Sequence, residues 1–216
     1  MTVQYHHFFE LLSFILSIVF YQSLKEKKLE AFAPFLGITV VVEVLAANWH
    51  IWSPRNDILY NIYLLISYPF QLAVFKNVLQ LNQKQKLIFN IFSFLFILVA
   101  AFSIIFLTGI FTFNNYYYMS IQLVNICFSV LILFKIVTND DKDYSLLKNP
   151  YFWIFGACFL FGLGSLSVVS LRQLILNYNL MINGKHIYQV IMPFLIVILY
   201  TSYSYGFYLC KKQVTK

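Results

Sequence analysis

Residues 87–111 read LIFNIFSFLFILVAAFSIIFLTGIF, an apolar run without one charged side chain, and Lys84 and Lys86 stand just before it. An α-helix needs roughly 17–25 such residues to cross ~30 Å of hydrocarbon, so this stretch points to a membrane. Working outward, six further runs of the same character occupy 8–24, 31–51, 58–78, 116–137, 151–174 and 187–210. The first is the shortest. It does not read as a cleaved signal peptide, because no basic segment precedes it, Glu10 lies inside it and no small-residue cleavage site follows. The alternation of β-barrel strands is absent. The expected fold is all-α: one polytopic domain over 1–216, a bundle of seven transmembrane helices.

Charge sets the expected orientation. Lys25, Lys27 and Lys28, then Lys76, Lys84 and Lys86, then Lys135, Lys142 and Lys148, then Lys211, Lys212 and Lys216 close or follow the first, third, fifth and seventh runs, and they are all but three of the fifteen basic residues. Short basic loops stay in the cytosol. Only Arg55, Arg172 and Lys185 fall on the other side. The expectation is an N-terminus outside and a C-terminus inside, in a bacterial-type inner membrane. The formal net charge of +7 resides in the inner loops. It is a topology signal with attraction to anionic lipid as a by-product, and no nucleic-acid partner is expected. A content of 61% hydrophobic and 11% charged residues agrees, since soluble domains are about 45–50% apolar.

Cys127, Cys158 and Cys210 lie inside apolar runs without metal-type spacing and read as packing residues. Aromatics near the run ends, among them Trp49, Trp52, Tyr116 to Tyr118 and Trp153, read as interfacial belts. Asn149-Pro150 opens the sixth helix. Within that helix Gly156, Gly162, Gly164, Ser165, Ser167 and Ser170 form a small-residue face for close contact.

Polar residues inside the spans carry the functional signal. Glu10, Glu43, Asn48, His50, Asn61, Gln122, Asn125, Arg172, Gln173, His186 and Gln189 all fall in the outer halves or outer ends of the runs. Glu43 is the costliest, at roughly 12 Å from the outer end of its helix for a rise of ~1.5 Å per residue. An ionised carboxylate at such depth faces the bundle interior or a cavity and needs a partner. Arg172 is the strongly basic group placed to answer it. These residues predict an outward-facing ligand pocket lined by Glu43, Asn48, His50, Asn61, Gln122, Asn125, Arg172, His186 and Gln189, with a small molecule or lipid headgroup as ligand and membrane lipids around it.

Other chemistries find less support. No HExxH or comparable motif appears, so no metal site and no cofactor are expected, and Ser67, Ser165 and Ser170 have no adjacent histidine. A retinal Schiff base needs a mid-membrane lysine, and none lies between Lys185 and Lys211. Pro69 and Pro193 interrupt helices as in transporters, but seven spans do not divide into equal repeats. The rival class is an enzyme acting on lipid, with Glu43 as base and His50 or His186 as base or metal ligand.

The run Asn149-Pro150-Tyr151-Phe152-Trp153-Ile154, the acidic second helix with Glu43 and the 56–63 segment opening the third resemble uncharacterised bacterial seven-helix membrane proteins. These are similar to the membrane sensor modules found beside or fused to histidine kinases. The resemblance implies an outward-facing sensing bundle. With no kinase, cyclase or DNA-binding domain in the sequence, it implies output through a separate signalling partner.

Overall fold

The computed structural model describes residues 5–51, 55–138, 145–182 and 184–214, and the side chains of His50 and Gln173 lie outside that description. Lys142, Asp140, Asp141, Asp143 and Lys216 also lie outside the described residues. Nine α-helices appear among the described residues: α1 Tyr5–Val19, α2 Tyr21–Glu26, α3 Phe32–Asn48, α4 Asp57–Leu79, α5 Gln83–Phe102, α6 Asn115–Thr138, α7 Pro150–Ser170, α8 Arg172–Asn177 and α9 Ile187–Val214. A 3-10 turn, Trp49–Ile51, prolongs α3, and a π-helical segment, Ser103–Thr108, prolongs α5. Five helices, α4, α5 with its extension, α6, α7 and α9, are long and apolar enough to cross a membrane, while α1 and α3 are shorter apolar helices. On α5 and its π-helical extension Leu87, Ile88, Phe94, Val99, Phe106 and Leu107 all point outward. Such a surface would aggregate in water and is at home in hydrocarbon. The chain is a helical, multi-pass membrane protein.

Two runs are not continuous helices. The first is divided near Phe20 into α1 and α2, and the sixth stops at Ser170, so that Arg172 opens the separate helix α8. The loop at 177–185 also contains structure that hydropathy does not reveal, a two-residue antiparallel pair of β1 Met181–Ile182 with β2 Lys185–His186. Gly184 turns that hairpin at φ +74°, a conformation glycine adopts without a Cβ penalty.

Helix ends follow their local chemistry. Asn82 and Gln85 form a reciprocal capping box at the start of α5, with bonds of 2.9 and 3.0 Å. Asn149 accepts from the Tyr151 amide at 3.0 Å, with Pro150 in the first turn of α7. Tertiary bonds then gather the lysine-bearing ends. Tyr151 Oη donates to the Lys27 carbonyl at 2.8 Å, Lys135 Nζ to the Leu79 carbonyl at 2.9 Å and Gln213 Nε2 to the Lys148 carbonyl at 2.9 Å.

Aromatic rings pack against one another in the core. The Phe32 ring lies 5.0 Å from Tyr203 and 5.5 Å from Phe207, and Phe75 lies 5.3 Å from Phe128 and 5.7 Å from Phe155. Helix α7 packs closely between α6 and α9 because its partners meet glycine. A Cβ on Gly162 would stand 2.8 Å from Ile126, and one on Gly164 2.6 Å from Leu195. Small residues thus replace the side-chain layer that would hold these helices apart.

Candidate functional site

Away from the lysine-bearing end, the bundle encloses a cavity of about 380 Å³. Helix α4 supplies one wall through Asp57, Tyr60, Tyr63, Leu64, Ser67, Tyr68 and Gln71. Their spacing keeps one helix face inward, and from Asp57 to Gln71 it runs for about 21 Å at ~1.5 Å per residue. Helices α1 and α3 add Glu10, Thr39 and Glu43, helix α6 adds Gln122 and Asn125, and α9 adds Tyr200 and Tyr203.

Glu43 accepts a hydrogen bond from Tyr60 Oη at 3.3 Å. Glu10, only 4% exposed, lies within electrostatic range of Glu43 and meets His7 Nδ1 at 3.3 Å. Tyr63 and Thr39 share a hydroxyl bond of 3.0 Å, and Cys158 Sγ meets Tyr203 Oη at 2.9 Å. Three polar atoms on the lining are buried without a protein partner: Tyr68 Oη, Gln122 Oε1 and Asn125 Oδ1. Buried polar atoms are nearly always satisfied, by protein, water or ligand. Gln122 and Asn125 are three residues apart on α6, so both present from one helix face.

Of the residues expected from sequence, Glu43, Gln122, Asn125 and Arg172 share this cavity. Asn48 does not; its amide nitrogen turns back to the Val44 carbonyl at 2.8 Å. Asn61 is fully buried and serves the fold. Its Nδ2 donates to the Ile110 and Thr112 carbonyls at 3.0 and 2.8 Å, and its Oδ1 accepts from the Asn114 amide at 3.1 Å. Asn114 in turn caps α6 through the Tyr117 amide and donates to Ser103 Oγ, so the pair braces the α5 to α6 connection against α4. His186 stacks on Tyr188 at 5.6 Å, and Gln189 Oε1 accepts from the His186 amide at 3.2 Å; neither lines the cavity. The His50 side chain lies outside the described residues.

The expected Glu43–Arg172 pair is replaced by other contacts. Arg172 sits at the cavity rim with its guanidinium 5.6 Å from the Tyr188 ring centre, a cation–π geometry. Glu10, Thr39 and the tyrosines of α4 and α9 are among the lining residues that the expected pocket left out. The 57, 60, 63, 64, 67, 68, 71 periodicity was the available signal.

Chemically, the cavity combines carboxylates, phenols and amides over an apolar frame. Among its described lining residues there is no imidazole, so among them Ser67 and Cys158 have no histidine beside them in the manner of a Ser–His or Cys–His pair. No protein-family model, curated protein or solved structure matches the chain; the reading of the site rests on its own geometry.

Proposed function

We propose that this chain is a seven-span inner-membrane binding protein, N-terminus outside and C-terminus inside, whose outward cavity takes a small molecule or lipid headgroup and passes its occupancy to a separate signalling partner. The observation that carries the reading is the set of orphaned polar atoms, Tyr68 Oη, Gln122 Oε1 and Asn125 Oδ1, on the wall of a 380 Å³ cavity. Ligand sites are mostly apolar concavities of this order of size with a few convergent polar groups. The clustering of lysine-bearing ends opposite the cavity supports the orientation. Pro69 and Pro193 each remove a helical hydrogen bond within α4 and α9, two of the helices that wall the cavity, which supports coupling between occupancy and helix geometry. A lipid-modifying enzyme built on His186 loses support, since that ring stacks on Tyr188 outside the cavity.

Native mass spectrometry of the detergent-purified chain tests the reading. A co-purified organic species should be present in the natural protein and depleted at least about tenfold in Asn125→Leu, given ~1.4 kcal/mol per decade. A natural protein that carries no organic species, or undiminished loading in Asn125→Leu and Glu43→Gln alike, contradicts it.

A further inference from the structure

The first two turns of α1 hold a second group of side chains, of which only Glu10 also lines the cavity. His6, His7 and Glu10 each bring one ligand atom within 4.8 Å of the other two. Helical spacing makes this possible, because Glu10 stands i+4 from His6 and i+3 from His7, one turn above both. The contacts are tight: His7 Nδ1 lies 3.3 Å from Glu10 Oε2, and the two imidazole centres are 4.2 Å apart. This is also no solvated tail. His6 is 7% exposed and Glu10 4%, and His6 Nδ1 is buried with no hydrogen-bond partner.

We propose that His6, His7 and Glu10 form a binding site for a divalent transition-metal ion, Zn²⁺ by donor preference. Two imidazoles and one carboxylate are the donor set of three-ligand zinc sites, whereas Mg²⁺ and Ca²⁺ require shells dominated by oxygen. The ion would take up the orphaned imidazole and offset the buried carboxylate together. It would also complete the geometry of the neighbouring space. His7, Glu10 and Glu43 line a groove of about 290 Å³ between α1 and α3, otherwise formed by Phe8, Leu11, Val40, Val44 and Ala47. Glu10 and Glu43 line the central cavity as well. An ion held on Glu10 therefore stands in the wall shared by groove and cavity. Its fourth coordination position is left for water or for a donor atom of a bound molecule. Helix α3 contributes Glu43 nearby, a carboxylate placed outside the three-atom cluster.

The inference stands apart from the cavity reading, which rests on α4 and α6, so either can fail alone. The test uses the full chain with a non-histidine affinity tag, stripped with chelator, titrated with ZnCl₂ and analysed for metal by mass spectrometry after gel filtration. The natural chain should retain about one equivalent, and His186→Ala should retain the same. His6→Ala, His7→Ala and Glu10→Gln should each lose at least about tenfold in affinity, as first-coordination losses exceed the 10–100-fold typical of outer-shell changes. If a variant fails to fold, X-ray absorption of the Co²⁺-loaded natural chain decides instead: nitrogen from two imidazoles with carboxylate oxygen supports the site. Retention below about 0.1 equivalent by the natural chain, a shell of oxygen alone, or equal uptake by a folded His6→Ala/His7→Ala double variant would overturn it.

Discussion

Asn61 and Asn125 are both buried amides in apolar helices, and the structure assigns them opposite roles that a pair of substitutions separates. Asn61→Ala removes three hydrogen bonds, to the Ile110 carbonyl, the Thr112 carbonyl and the Asn114 amide, from a side chain with no exposure. Interhelical bonds in membranes average about 0.6 kcal/mol and typical protein bonds about 0.5–1.5, so the three together are worth about 2–4 kcal/mol. The loss sits at the higher end of that range, because two carbonyls and one amide at the α5 to α6 connection are left behind without their partner. Asn125 Oδ1, by contrast, has no protein partner to lose. Replacing it with leucine removes a buried orphan and should change stability by less than about 1 kcal/mol, while depleting the bound ligand. Reversible unfolding of each variant in mixed micelles, titrated with SDS, measures both numbers. An Asn61→Ala loss below about 1 kcal/mol, or an Asn125→Leu loss as large as that of Asn61→Ala, would refute the division into brace and binding group.

Glycine packing gives a second matched pair. Gly206→Ala forces a Cβ to 2.6 Å from Ile154 Cγ1 and 3.2 Å from the Pro150 carbonyl and should cost about 1–3 kcal/mol by overpacking; Gly156→Ala meets nothing within 4 Å and should be neutral or mildly stabilising, both read by thermal unfolding in detergent. Because Glu43 bonds to Tyr60 and Arg172 to the Tyr188 face, a stability cycle of Glu43→Gln and Arg172→Gln should be additive within about 0.5 kcal/mol. A larger coupling would restore the direct pair that their sequence positions suggest.

Much of this architecture follows from hydropathy, since an apolar run of bilayer length has few folds open to it. Every one of the seven runs contains a helix, and the Asn149-Pro150 start lies where local chemistry put it, whereas of the expected small-residue face of α7 Gly162 meets Ile126 of α6, Gly164 meets Leu195 of α9, Gly156 meets nothing within 4 Å, and Ser167 and Ser170 are exposed. The breaks after α1 and α7 were hidden because uniformly apolar sequence gives no periodic cue to where a helix stops. At the site, the cost of a polar group in hydrocarbon singled out Glu43, Gln122 and Asn125, and the three line one cavity. The same argument misassigned Asn61, because burial cost says that an amide must be satisfied but not by whom; its partners are backbone groups about fifty residues away in sequence. Glu10 stood among the polar outer-half residues but outside the expected pocket lining, and the fold buries it beside His6.

The central claim is that the polar cavity opens outward, opposite the lysine-bearing loops, and cysteine labelling addresses it most directly. In a background where Cys127, Cys158 and Cys210 are replaced by alanine, Asn115→Cys at the cavity lining and Gly184→Cys in the hairpin should react with a membrane-impermeant maleimide on the outer face of intact cells. Lys84→Cys should react only in inverted vesicles. Labelling of Asn115→Cys from the cytosolic face alone would contradict the account, because the carboxylates, tyrosines and amides of the cavity would then face the other compartment.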